Sequence, residues 1–383
     1  MAHPLPRSPH HRPHPRHRRS RRGLAGADHP TPTVGADAVS TSTTRSAPTA
    51  PDDTPAAPGT PRAPGDAVPL LSVRDLSVRF RRRDGAHIAA VSEVSLTLRP
   101  GECLALVGES GCGKSVLASA LLGLLPANAE TRGSALLDGG LDLLTAGERT
   151  LSRTVRGRRV GLVPQSPAAH LTPVRTVRSQ LAETVRELVG PPRADLATAT
   201  VAAAERAAFP ADHLDRYPHE LSGGLAQRAA TALALVGEAP LLIADEPTTG
   251  LDRELAERTV DELRGHTDAG RGLLIITHDL AAAERVADRI AVMYAGRVVE
   301  LADAGPFFGT PGPRHPYAAG LLDALPERAF TAIPGMPPEL GDLPTGCAFA
   351  VRCRYATDRC AEPPAPRDGL ACHHPLTGGE TRE

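Results

Sequence analysis

Two patterns of apolar residues predict two kinds of β-strand after the first 67 residues. In residues 71–80 and 91–102 apolar and polar positions alternate, as they do in antiparallel strands that bury one face. The sequences CLALV (103–107), LLIAD (241–245) and LLIIT (273–277) are instead continuous apolar runs. Such runs are typical of strands buried on both faces of a parallel sheet. We therefore predict an α/β protein with a parallel sheet and a separate antiparallel β subdomain.

Composition divides the chain into three parts. More than 100 residues of mostly helical character lie between the first two apolar runs and predict a helical insertion. Residues 1–67 hold 13 of the 38 prolines, and a segment of this composition cannot bury enough surface to offset its ordering entropy. Residues 306–383 are again rich in Pro and Gly and contain four of the six cysteines. The predicted parts are a disordered extension (1–67), a main domain (68–305) and a C-terminal extension (306–383).

Charge and cysteine content add limits to this picture. The first 22 residues carry seven arginines, five histidines and no acidic residue, although the whole chain has a net charge of -1. We interpret them as a disordered tail, and a polybasic contact with anionic lipid or nucleic acid is the alternative. No apolar run of about 18 residues occurs, so no membrane-spanning segment is predicted. Six cysteines without a signal peptide indicate reduced thiols or metal ligands in the cytoplasm rather than disulfides.

The sequence GESGCGKS matches the phosphate-binding pattern G-x-x-x-x-G-K-[ST], and it lies between a buried strand and an apolar helix. Backbone N–H groups in this pattern surround phosphates at a helix N-terminus. Lys114 is the single lysine among 43 basic residues, which indicates that this position needs a compact ammonium and not a guanidinium. Ser115 is predicted to coordinate Mg²⁺. The predicted nucleotide-binding residues are Gly108, Glu109, Ser110, Gly111, Cys112, Gly113, Lys114 and Ser115.

A pair of carboxylates ends the second apolar run, in LLIADEP. Asp245 is predicted to bind Mg²⁺, and Glu246 is predicted to act as the general base toward an attacking water. Acidic pairs after a strand also cap helices, so this pair alone is weak support. Together with the phosphate loop, it indicates hydrolysis of a nucleoside triphosphate.

The sequence LSGGLAQR (221–228) resembles the signature of ATP-binding cassette (ABC) ATPases, although SGG alone would also suit a helix N-cap. The resemblance covers roughly residues 70–300. It implies a P-loop NTPase with a RecA-like core, which uses ATP and Mg²⁺. It also implies that Ser222, Gly223 and Gly224 close on the nucleotide held by an opposing ATPase subunit.

Further positions match the same family one by one. Gln165 in GLVPQSP resembles the Q-loop, which the family uses to contact Mg²⁺, sense the γ-phosphate and link to a membrane partner. Asp252 in TTGLD resembles the D-loop. His278 in IITHDL resembles the switch histidine that contacts the γ-phosphate. Phe80 occupies the place of the aromatic residue that stacks on adenine, and as an alternating strand residue it could instead belong to the core.

The C-terminal extension contains RHPYAAGLLDALP and then a cysteine-bearing segment, and this order resembles the tail of oligopeptide/dipeptide and nickel importer ATPases. Four cysteines follow in the spacing C-x5-C-x6-C-x11-C, which is wider than that of a usual zinc knuckle. The resemblance favours a [4Fe–4S] cluster, and zinc or four free thiols are the alternatives. The candidate ligands are Cys347, Cys353, Cys360 and Cys372.

These observations predict the ATP-binding subunit of an ABC importer for oligopeptides or dipeptides. The resemblance implies two membrane-spanning permease subunits, a second ABC ATPase that is identical or paralogous, and an extracellular solute-binding protein that acts through the permease. The subunit would lie on the cytoplasmic face of the membrane, and no nucleic-acid partner is expected.

Alternatives stay open at this point. The same subunit type could serve nickel or another small solute. A soluble ABC ATPase acting on DNA or ribosomes would need a long coiled-coil insertion or a second cassette. A sulfur-cluster assembly ATPase would not need the C-terminal tail, and an inactive binding module would not need Lys114, Glu246 and His278.

Overall fold

The computed structural model describes residues 68–377, apart from the side chains of residues 168 and 169. The predictions made for residues 1–67 and for the last six residues lie outside this range. The strands in it are β1 (Leu71–Arg81), β2 (His87–Leu98), β3 (Cys103–Val107), β4 (Ala129–Leu137), β5 (Leu141–Asp142), β6 (Val160–Val163), β7 (Leu241–Asp245), β8 (Gly272–Thr277), β9 (Arg289–Tyr294) and β10 (Arg297–Asp303).

The α-helices of the described range connect these strands. They are α1 (Lys114–Leu121), α2 (Glu148–Thr150), α3 (Pro167–His170), α4 (Val177–Leu188), α5 (Leu196–Glu205), α6 (Gly223–Leu235), α7 (Arg253–Asp268), α8 (Leu280–Val286), α9 (Ala304–Phe308) and α10 (Pro316–Asp323). None of the helices within residues 68–377 has the length and apolar character needed to cross a membrane.

Two sheets form, as the two apolar patterns predicted. The smaller sheet has the order β2-β1-β4-β5 and is antiparallel throughout. The larger sheet has the order β10-β9-β3-β8-β7-β6, in which every pair is parallel except β9 with β10. The three continuous apolar runs become its neighbouring strands β3, β8 and β7, and all of their residues are buried. The predicted α/β class with an antiparallel subdomain is confirmed.

The predicted insertion between β3 and β7 is less helical than expected, because β4, β5 and β6 also lie in it. β6 is only four residues long and belongs to the parallel sheet, at its edge beside β7. Its Gly161 lets β6 approach its neighbours closely, since a Cβ there would lie 3.0 Å from the Ala234 carbonyl oxygen. The helical part itself, α4 to α6, packs around its own apolar core that includes Leu181, Ala203 and Phe209.

The C-terminal segment is packed into the core beneath the parallel sheet. Tyr317 and Leu322 of α10, and Phe349 further along, belong to the same buried cluster as Ala105 of β3 and Ile275 of β8. Tyr317 and Leu322 are fully buried. The predicted boundary between residues 305 and 306 stays a prediction, and this shared core places C-terminal side chains against the strands that carry the site.

Candidate nucleotide-binding site

The phosphate loop connects the end of β3 to the first residue of α1, and two of its glycines are required by the local geometry. Gly108 has φ +154°, and a Cβ there would lie 2.2 Å from the Met293 carbonyl oxygen. Gly113 has φ +107° immediately before α1, and a Cβ there would lie 2.3 Å from the Ala90 carbonyl oxygen. Only glycine fits where backbone approaches so closely. The loop therefore turns tightly enough to direct the start of α1 toward a ligand.

Lys114, the single lysine of the chain, is 5% exposed. Its Nζ donates hydrogen bonds to the carbonyl oxygens of Gly108 at 2.8 Å and Glu109 at 3.1 Å. Both acceptors belong to the phosphate loop, so one ammonium group satisfies two loop carbonyls at once. The positive charge is thereby held inside the loop, where it can interact with anionic phosphates.

Ser115 and Asp245 supply oxygen ligands suited to Mg²⁺. The Ser115 hydroxyl donates to Asp245 Oδ1 at 3.1 Å and joins the first turn of α1 to the end of β7. Burial raises the pKa of Asp245, and the nearby Glu246 carboxylate raises it further. A hydroxyl and a carboxylate are hard ligands that Mg²⁺ prefers. The charge of the ion would offset the energetic cost of burying the Asp245 carboxylate. The donor set therefore fits the predicted ion.

Glu246 and His278 form a close polar pair. His278 Nδ1 lies 2.7 Å from Glu246 Oε2, and Thr249 Oγ1 lies 3.5 Å from the same oxygen. Glu246 is buried, whereas the His278 side chain is 59% exposed. The Glu246 backbone has φ +50°, which is uncommon for glutamate, and its N–H donates to the Ile276 carbonyl oxygen. The pair places a carboxylate at the end of β7, held in orientation by a histidine from the end of β8.

An open cleft of about 210 Å³ brings the main predicted catalytic residues together. Four parts of the chain contribute to it: the phosphate loop with the start of α1, the segment after β6, the end of β7 and the C-terminal segment. Its lining residues are Ser110, Gly111, Gly113, Lys114, Ser115, Val116, Gln165, Glu246 and Leu340. Gln165 lies in the same cleft as Lys114 and Glu246, and the roles that the family resemblance implies for these residues stay predictions.

Other predicted site residues do not line this cleft. Phe80 is half buried on β1, opposite Ile88 and Ala129, and packs against the apolar core beneath the smaller sheet, so stacking on adenine stays a prediction. Ser222 is the N-cap of α6 and accepts a hydrogen bond from the Leu225 N–H at 3.3 Å. Gly223 beside it is exposed, and Gly224 is half-buried.

Asp252 is an exposed N-cap of α7, where its side chain accepts from the Leu255 N–H at 3.0 Å. Ser222 of the SGG sequence is therefore a helix N-cap in the structure, and Asp252 is an N-cap as well. Such caps leave the remaining N–H groups of the first helical turn for other acceptors.

All six cysteines are free thiols. Cys103 and Cys112 are buried, and burial raises the pKa of both. Burial also raises the pKa of Cys372 to about 11, and Cys347, Cys353 and Cys360 add to this rise.

The four C-terminal thiols are thus electrostatic neighbours, yet they do not form a metal site in this arrangement. Within residues 68–377, no group of three or more His, Cys, Asp or Glu side chains could hold a metal ion. The [4Fe–4S] cluster is not supported by this geometry and stays a prediction. Iron and acid-labile sulfide, measured on anaerobically purified protein, would test it.

Three C-terminal residues near the phosphate loop were not identified from the sequence. Leu340 lines the cleft, the Tyr317 hydroxyl contacts the Glu109 backbone, and the Arg352 guanidinium pairs with the Glu109 carboxylate. The last two contacts join residues 208 and 243 positions apart. Tyr317 lies in the HPY sequence that was noted as a resemblance, whereas nothing local distinguishes Arg352 or Leu340.

Family profiles match two regions of the chain. The ABC transporter profile matches residues 91–249, which contain the phosphate loop, the LSGGLAQR sequence and the acidic pair. The profile for the C-terminal region of oligopeptide/dipeptide transporters matches residues 299–360.

Curated relatives and a solved structure agree with these profiles. The chain is 44% identical over 309 residues to the oligopeptide transport ATP-binding protein OppD of Mycobacterium tuberculosis, covering 77% of this chain and 49% of that one. It thus spans about half the length of that relative. It is 38% identical over 326 residues to a putative peptide import ATP-binding protein of Brucella melitensis, covering 80% of this chain and 95% of that one.

The fold is similar to the dimeric post-hydrolysis structure of the ATP-binding cassette MJ0796 bound to ADP and Pi. The TM-score is 0.56 at 22% identity, over 61% of this chain and 99% of the other. This likeness concerns the fold alone. Taken with the profiles and the curated relatives, the chain belongs to the ABC transporter ATP-binding proteins, in the oligopeptide/dipeptide importer family.

Proposed function

We propose that this chain is the ATPase subunit of an ABC importer and hydrolyses ATP to drive the uptake of oligopeptides or dipeptides. The observation that carries this proposal is the single cleft in which Lys114, Ser115, Gln165 and Glu246 meet. A cation, metal-binding oxygens and a carboxylate base are the groups that phosphoryl transfer to water requires.

The geometry supports a role for each group. The Lys114 ammonium attracts and holds the β- and γ-phosphates, because it is fixed within the loop by two carbonyl oxygens. Glu246 accepts a proton from the attacking water, and His278 orients its carboxylate at 2.7 Å and reaches the γ-phosphate from its exposed position. Ser115, Asp245 and Gln165 would hold Mg²⁺, whose charge offsets that of the phosphates.

We also propose that two ATPase subunits act together, head to tail. Ser222 and Gly223 are exposed at the start of α6, where N–H groups and the helix dipole favour an anion. They do not line the cleft of their own subunit. An ATP molecule held by a second, identical or paralogous, subunit would complete this anion site, with Asp252 near the same interface. The MJ0796 cassette is dimeric, which supports the pairing of two ATPase subunits.

The partners follow from the proposed transport role. Two membrane-spanning permease subunits would receive the motion of the ATPase pair near Gln165, and an extracellular solute-binding protein would deliver the substrate to them. The chain would then lie on the cytoplasmic face of the membrane. The peptide-transport names of the M. tuberculosis and B. melitensis relatives support peptides over nickel or another small solute.

Affinity purification from detergent-solubilised native membranes, followed by mass spectrometry, tests the assembly. The proposal expects two polytopic subunits, an ATPase partner and a solute-binding protein with peptide affinity. Reconstituted into vesicles, the complex should hydrolyse ATP faster when that binding protein carries peptide, and Glu246→Gln should abolish the hydrolysis. Recovery of ribosomal, DNA-repair or cluster-assembly partners from the soluble fraction would refute the transport role.

A further inference from the structure

An ion pair joins the phosphate loop to the C-terminal segment. Arg352 Nη1 donates to Glu109 Oε2 at 2.7 Å, and Nη2 donates to Glu109 Oε1 at 2.9 Å. The Arg352 side chain is 4% exposed and that of Glu109 is 26% exposed. A bidentate guanidinium–carboxylate pair is geometrically specific, and at this burial solvent and salt screen it less than they screen an exposed pair.

The surroundings of Arg352 hold it rigidly. Its Nε donates to the Pro334 carbonyl oxygen at 2.8 Å, and its Nη1 lies 3.3 Å from the Tyr294 hydroxyl. The guanidinium carbon lies 5.8 Å from the centre of the Tyr294 ring and 5.9 Å from that of Phe349. The guanidinium is therefore a fixed cation presented to the phosphate loop.

A second contact fixes the backbone of the same loop residue. The Glu109 N–H donates to the Tyr317 hydroxyl at 2.9 Å, and the Tyr317 ring is fully buried against Tyr294 and Phe349. Leu340, from the same C-terminal segment, lines the nucleotide cleft itself. The C-terminal segment thus holds both the side chain and the backbone of Glu109.

The negative charge of Glu109 makes its pairing with Arg352 important for nucleotide binding. Glu109 follows Gly108 in the phosphate loop, whose backbone N–H groups are predicted to surround the phosphates of ATP. An unpaired carboxylate in this loop would repel ATP. Arg352 neutralises that carboxylate and ties it to a fixed position. An added unit charge within roughly 10 Å of the phosphates, at an effective dielectric constant of about 20–40, would weaken binding about tenfold.

We propose that Arg352 and Tyr317 are positioning residues for the phosphate loop, through which the C-terminal segment sets the affinity for MgATP. This inference rests on the proposed function of the loop. It predicts that the C-terminal segment belongs to the nucleotide site through its hold on Glu109 and through Leu340 in the wall of the cleft.

The test measures the dissociation constant for MgATP on the full chain by fluorescent-nucleotide displacement, alongside thermal unfolding. Arg352→Gln should weaken binding about tenfold. Adding Glu109→Gln to that variant should restore affinity to within about threefold of wild type, because the uncompensated charge is gone. Arg352→Lys keeps the charge and should lose less affinity than Arg352→Gln. Tyr317→Phe should weaken binding severalfold through the lost acceptor.

Arg289→Gln is the matched control. Arg289 forms a partly buried pair with Glu102 at 3.0 Å, at the opposite end of β3 from the phosphate loop. It should lower stability without weakening MgATP binding. Unchanged affinity in Arg352→Gln, or a defect that Glu109→Gln fails to relieve, would overturn the inference. A wild-type chain that binds no MgATP would overturn the proposed function itself.

Discussion

Replacing Lys114 by arginine separates the shape of the cation from its charge. Two loop carbonyls, at 2.8 and 3.1 Å, converge on one Nζ in a side chain that is 5% exposed. A planar guanidinium spreads its charge over three nitrogens and cannot place one nitrogen between both carbonyls without moving the loop. We therefore expect ATP hydrolysis to be lost although the charge remains.

The expected magnitude follows from the lost contacts. One hydrogen bond to a charged group contributes about 1.5–3 kcal/mol, which corresponds to roughly 10- to 150-fold in rate. A misplaced phosphate-stabilising donor costs about 10²–10³-fold, so kcat should fall at least about 100-fold. The larger side chain should cost about 1–3 kcal/mol of stability, and the chain should still unfold cooperatively.

Steady-state phosphate release and thermal unfolding of the two proteins provide the assay. Lys114→Ala serves as the reference for complete loss of the cation. If Lys114→Arg hydrolyses ATP within about tenfold of wild type, charge alone is sufficient and the geometric argument for the single lysine is wrong. Turnover close to that of Lys114→Ala would support it.

Three further predictions concern stability. Gly113→Ala should lower the free energy of unfolding by more than about 3 kcal/mol, because the added Cβ would lie 2.3 Å from a backbone oxygen. Gly111 has open space around it, so Gly111→Ala should lower the free energy of unfolding by only about 1–2 kcal/mol. Urea titrations measure both values. Asp245→Asn should raise the thermal unfolding temperature of the nucleotide-free chain at pH 7, because burial raises the pKa of the Asp245 carboxylate and so disfavours its charged form. The same variant should lose Mg²⁺-dependent hydrolysis. Burial lowers the pKa of His266 and His315 to about 4, so the unfolded chain binds more protons and stability should fall from pH 6.5 toward pH 4, less steeply in His315→Asn.

Much of the fold could be predicted because burial patterns are local. Continuous apolar runs identified β3, β7 and β8, since a strand covered on both faces has no polar face to show. β5 and β6 are too short, at two and four residues, to display a period that distinguishes them from a helix. Their assignment depends on pairing with neighbouring strands, which the local sequence does not specify.

The candidate site likewise has a part with a local sequence signal and a part without one. Lys114, Ser115 and Glu246 could be predicted to meet, because motifs after parallel strands collect at one edge of the sheet. Gln165 follows β6, and only the family resemblance pointed to it. The pairing of Arg352 with Glu109 crosses 243 residues and follows from how the C-terminal segment packs, so a single sequence holds no local signal for it.

Glu246 shows how the chemistry of the site opposes stability. Its φ of +50° suits glycine, and other residues lose about 1–2 kcal/mol of stability in this conformation. The hydrogen bond between Glu246 and the mostly exposed His278 contributes less than about 1 kcal/mol to stability. Glu246→Gly should therefore unfold at the same temperature or higher, yet lose hydrolysis at least about 100-fold. Glu238, exposed at φ +48°, is the matched control. Glu238→Gly loses ion pairs with Arg206 and Arg271, but these are solvent-exposed and contribute little, so the variant should also unfold at the same temperature or higher and should keep full activity. A clearly less stable Glu246→Gly would show that the carboxylate supports the fold, and retained hydrolysis would exclude it as the general base.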